Sequence, residues 1–86
     1  MVTVRELIVI LQAEDPDRVV VMSKDAEGNN FSPFADIVRG AYKPDTTWYG
    51  VFGMSAKELT PKRRADGYSD GDVVDGPLAL CLWPVN

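Results

Sequence analysis

Only one stretch of this 86-residue chain carries a helical repeat of useful length, and it stands near the beginning. Thr3-Val4-Arg5-Glu6 has the spacing of a capping box, in which the Thr3 hydroxyl accepts the Glu6 N–H and the Glu6 carboxylate accepts the Thr3 N–H. Val4, Leu7, Ile8 and Leu11 then fall on one apolar stripe, with Arg5, Glu6 and Gln12 turned away. Val9 and Ile10 blur the stripe, so that Leu7 to Leu11 also fits a buried strand. The cap decides for a helix. Asp15-Pro16-Asp17 stops it, because proline drives the preceding residue out of the helical region.

Everything after that stop reads mainly as strand and turn. Arg18 to Met22 forms a nearly continuous apolar run whose valines suit a strand covered on both faces. Ser23 to Asn30 is a polar loop. Ala35 to Tyr42 and Trp48 to Met54 are two further strands joined across Lys43 to Thr47, a hairpin-length connection. Gly40, Gly50 and Gly53 inside them mark bulges or close backbone approach. Ser55 to Gly76 is the least regular part, with Thr60-Pro61 as a helix start, Gly67 as its terminator and Ser69 to Asp72 as a weaker cap. Leu78 to Trp83 is the last strand, apolar on both faces. One helix and about four strands predict a single α+β domain, 1–86, with a mostly antiparallel sheet and the helix packed on one face. That one helix cannot cover both sides. The opposite face is expected to lie against a second copy, a target, or the 55–76 segment folded back through Leu59, Tyr68, Val73 and Val74.

Composition narrows the function. The chain has no histidine, which removes the usual general acid/base near neutral pH and the commonest zinc ligand. Nine basic against thirteen acidic residues give a net charge of -4, opposite in sign to a phosphate-binding footprint, so no direct nucleic-acid contact is expected. Cys81, the single cysteine, has no partner for an internal disulfide and reads as a buried thiol in a reducing cytosol. No apolar run approaches the roughly 20 residues of a membrane span, and no secretory signal is visible at Met1. No cofactor is expected.

The acidic clusters invite a metal reading, but their spacing argues against one. In Asp25-Ala26-Glu27-Gly28-Asn29-Asn30 the glycine is fourth and Asp36 twelfth, whereas a calcium loop of the EF-hand type needs glycine sixth and glutamate twelfth. Asp70, Asp72 and Asp75 fit no better. No phosphate-binding glycine pattern occurs. The only basic run, Lys62-Arg63-Arg64, is neutralised by Asp66, Asp70 and Asp72 and reads as a solvated face. Trp48 and Tyr49 are neighbours on one strand, so one of them is expected to be less buried.

Thr3 to Ile8, Asp15-Pro16-Asp17 with its following valines, and Gly67-Tyr68-Ser69-Asp70-Gly71-Asp72-Val73 together resemble small accessory proteins of bacteriophages and prophages. The resemblance touches both ends of the chain and leaves the middle uncovered. It implies a protein of the host bacterial cytoplasm that binds and blocks a host factor, as anti-CRISPR proteins do in place of nucleic acid. The expected function is therefore that of an acidic, non-enzymatic binding protein. Its partner would be a host protein or ribonucleoprotein complex with a basic surface, contacted through Asp25, Glu27, Asp66, Asp70, Asp72 and Asp75 and the aromatics Trp48, Tyr49 and Trp83. A self-associating homodimer or assembly module is the second expectation, and a small metal-dependent hydrolase built on the aspartates the third.

Overall fold

Backbone caps set where the helices begin and end. In the computed structural model, which describes residues 1–85, α1 spans Val4–Gln12. Glu6 N donates to Thr3 Oγ1 at 3.2 Å and Thr3 N to Glu6 Oε1 at 3.2 Å, so both halves of the expected capping box are present. The helix gives out at Ala13, before the proline. Asp15 then organises the turn through its own side chain, accepting from Asp17 N at 2.9 Å, and Arg18 N bonds the Asp15 carbonyl at 3.1 Å. No residue of α1 is buried; Leu7 is half-buried and is the best covered.

The strands are β1 (Val21–Ser23), β2 (Phe31–Pro44), β3 (Gly50–Gly53) and β4 (Leu78–Pro84), and together they form a four-stranded antiparallel sheet. An N-terminal helix and an antiparallel sheet make the chain α+β. β2 is the hub. It pairs with β1 in the register Val21 to Pro33, Met22 to Ser32 and Ser23 to Phe31, and with β3 from Ala41 opposite Gly53 to Pro44 opposite Gly50. It also carries β4: Val85 N donates to Pro33 O at 2.8 Å and Tyr42 N to Pro77 O at 3.0 Å. From 33 to 42 β2 advances nine residues while β4 advances eight from 77 to 85, so β2 holds one extra residue, the count of a β-bulge.

The described residues divide into two compact units. One runs from Met1 to Asp36 and takes in the C-terminal residues from Trp83 on; the other is Ile37–Leu82. Buried residues are few. In the first unit Ser32 is buried; in the second, Ala41, at 0% exposure, is the buried apolar residue, accompanied by Gly40 and Ser55. Close approach in the second unit depends on glycine. A methyl on Gly40 would collide with the Gly53 carbonyl and the Phe52 ring, and one on Gly76 with the Tyr42 carbonyl.

Two expectations need correction. The Arg18 to Met22 strand shrinks to Val21–Ser23, and its valines are uncovered, Val19 by 84%. β1 pairs with the first residues of β2, and upstream of Val21 the contact thins to one long bond from Phe34 N to Val20 O at 3.4 Å, so the β-branched propensity there is not used in a ladder. Cys81 is half-buried rather than enclosed, as are its strand neighbours Ala79 and Leu80, so neither face of β4 is fully covered.

Candidate interaction surface

The proposed contact residues fall into three local structures. Asp25 and Glu27 sit in the turn between β1 and β2. Asp25 Oδ1 accepts from Glu27 N at 2.9 Å and Asn29 N at 3.1 Å, its carbonyl accepts from the Ser23 hydroxyl, and Gly28 takes a left-handed φ of 72°. Hydrogen bonds from Asn29 N above all, and then from Glu27 and Gly28, hold the Asp25 carboxyl below the usual aspartate range. Asp25 is thus a structural turn residue that stays charged. Glu27 Oε2 accepts from Asn29 Nδ2 at 3.3 Å.

The second group lies between α2 and β4. α2 spans Pro61–Ala65, capped by Thr60 Oγ1, which accepts from Arg63 N at 3.3 Å. Past the end of α2, Gly67 adopts φ 103°, and Tyr68 N and Gly67 N reach back to the Arg63 and Arg64 carbonyls at 3.0 and 3.1 Å, a Schellman ending. The Arg63 guanidinium lies 5.9 Å from the Tyr68 ring centre. Asp70 Oδ1 pairs with Arg64 Nη2 at 2.9 Å, and Asp72 Oδ2 accepts from Ser69 N at 2.8 Å in the 3-10 turn Asp70–Asp72. Asp66 is the C-cap of α2 and Asp75 lies exposed before β4. The expected terminator and weaker cap are therefore both in place, and they tie two of the four aspartates to their own chain.

The third group is aromatic. Trp48 and Tyr49 stand in the β2–β3 turn, their rings tilted and 6.4 Å apart, and both are exposed, Trp48 by 80%. Thr46 Oγ1 holds this turn by accepting from Trp48 N and Tyr49 N at 3.3 and 3.2 Å. Trp83 is 53% exposed and belongs to the other unit.

Charge divides between the units more sharply than the linear sequence suggests. The unit of residues 1–36 and 83–86 carries seven acidic residues (Glu6, Glu14, Asp15, Asp17, Asp25, Glu27, Asp36) against Arg5, Arg18 and Lys24, a net -4. Residues 37–82 carry six acidic and six basic residues and are neutral. The whole net charge thus belongs to the first unit.

Sequence reasoning passed over one motif. Ser55-Ala-Lys-Glu58 is a second capping box, opening the 3-10 turn Ala56–Glu58, with Ser55 N donating to Glu58 Oε1 at 3.3 Å. The Ser-x-x-Glu signal was present to be read. Among the described residues no three His, Cys, Asp or Glu side chains gather as metal ligands, and no helix is long and apolar enough to cross a membrane. No protein-family profile, curated protein or solved structure matches the chain.

Proposed function

We propose that this protein is a non-enzymatic binding protein that occludes a basic surface of a host protein or ribonucleoprotein complex, as a phage-encoded inhibitor of a bacterial defence complex would. One observation carries the reading: the net charge of -4 resides entirely in the unit that also exposes Phe31 and Trp83. Negative charge around uncovered aromatics is the composition of a surface that is steered electrostatically and then anchored by apolar contact. Within this reading the contact set centres on Asp25, Glu27, Phe31 and Trp83. Asp70 and Asp72 contribute less, since the ion pair with Arg64 and the Ser69 turn already engage them.

The test is expression of the chain in bacteria carrying a nucleic-acid-guided defence, with phage plaquing scored against the same host lacking it. The expected result is plaquing restored on the defended host alone, together with loss of DNA binding by the purified effector when the protein is added. Equal plaquing with and without the chain, and unimpaired DNA binding, would overturn the proposal.

A further inference from the structure

We infer that the free edge of β4 between Leu78 and Leu82 pairs with the same edge of a second copy of this chain, antiparallel about a two-fold axis at Leu80. The direction of the backbone groups comes from two hydrogen bonds. Pro77 O accepts from Tyr42 N and Val85 N donates to Pro33 O, so both residues aim their polar groups at β2. Backbone groups alternate along a strand, and 77 and 85 are an even number of residues apart. The N–H and C=O groups of Leu78, Leu80 and Leu82 therefore point the other way. β4 pairs with β2, and among the described residues no strand lies along its second edge. Pro84 shares the phase of these leucines, so its missing N–H faces the open side, where proline is tolerated in a sheet.

Open edges of this kind are normally guarded by a charge, a proline or a bulge. Pro84 guards the end of this edge, but Leu78-Ala79-Leu80-Cys81-Leu82 ahead of it has no charged residue and no proline, and the extra residue of the β2–β4 pair lies on β2. A second copy fits the edge better than an unrelated strand for two reasons. The run Leu-x-Leu-x-Leu is self-complementary: Leu78 would face the partner's Leu82 and Leu80 the partner's Leu80, matching the N–H and C=O groups of all three leucines of each copy, of which Leu82 O otherwise accepts only the weak Cys81 thiol at 3.8 Å. The edge also lies in the neutral unit, so two copies meet there without opposing like charges.

The test is sedimentation equilibrium on the full chain, followed by paired charge variants. The wild type is expected at twice 9.5 kDa in the micromolar range. Leu78→Lys combined with Leu82→Lys places like charges opposite each other twice and is expected to raise the dimer Kd by about tenfold or more. Leu78→Lys combined with Leu82→Glu places opposite charges there and is expected to restore the dimer. Both leucines are exposed, so circular dichroism should show each variant folded. A monomeric wild type would overturn the proposal, as would two variants that associate equally or fail equally. If the variants unfold, hydrogen exchange on the wild type decides: the Leu78, Leu80 and Leu82 amides are expected to be protected when concentrated and to exchange freely on dilution. Free exchange at every concentration would refute the pairing.

Discussion

Thr3→Ala isolates what holds α1. The substitution removes the hydroxyl that accepts from Glu6 N at 3.2 Å and donates to Glu6 Oε1 at 3.0 Å, and leaves the backbone N–H of residue 3 as the remaining half of the box. Loss of such a cap typically costs about 1 kcal/mol, roughly a fivefold shift between intact and frayed helix. In α1 that shift has little to oppose it. The helix is nine residues long, below the ~12–15 at which isolated helices become even marginally stable in water, and none of its residues is buried. The effect is therefore expected within the native state, as local fraying, before any global unfolding. Hydrogen exchange of the Leu7 amide, which donates to Thr3 O at 2.9 Å, reads it directly, supported by the helical dichroism signal. Protection of residues 7–11 should fall about fivefold while β2 amides hold. Unchanged protection across 7–11 would show that packing rather than capping secures the helix, and would refute the reasoning.

Other expectations follow from the same geometry. Three carboxylates, Glu6, Asp25 and Glu58, are held below their ordinary pKa chiefly by hydrogen bonds from Thr3, Asn29 and Ser55 respectively. Their stabilisation is complete above the unfolded carboxylate range and is lost as pH falls through the lower folded values, so Tm should drop in acid and Glu6→Gln should flatten that profile. Gly76→Ala drives a methyl into the Tyr42 carbonyl and is expected to destabilise by about 1–3 kcal/mol in urea unfolding. Trp48→Ala removes a ring that is 80% exposed and should change stability by less than about 0.5 kcal/mol, as should Asp70→Asn, since the Arg64 ion pair is solvated.

Local features were legible in the sequence and pairing was not. The Thr3–Glu6 box, the Asp15 turn, and the Thr60-Pro61 start with its Gly67 stop all appear where residue types and spacing place them, because each is an interaction across a few residues. Strand extents depend on partners that composition does not name. β2 begins at Phe31 rather than Ala35 and runs through Pro33, whose missing N–H lies opposite Val85, past the end of β4, where a lost donor matters least. Val19 and Val20 have the residue types of a strand but lie outside the β1–β2 register, where Val20 O accepts from Phe34 N at 3.4 Å. That Asp66, Asp70 and Asp72 offset Lys62-Arg63-Arg64 was legible in the linear sequence; which pair forms, Arg64 with Asp70, depends on how α2 ends. That β4 is an edge strand, with no strand among the described residues along its second side, emerges only from the sheet order.

The central claim is that charge in the residue 1–36 unit draws the protein to a basic partner. The most direct measurement is the affinity for the effector complex proposed as its target, as a function of salt, for the wild type and for Asp25→Asn combined with Glu27→Gln. The wild type should weaken steeply between low and physiological ionic strength, and the variant should bind more slowly with a shallower salt dependence. Identical association rates and salt slopes for the two proteins would contradict the account.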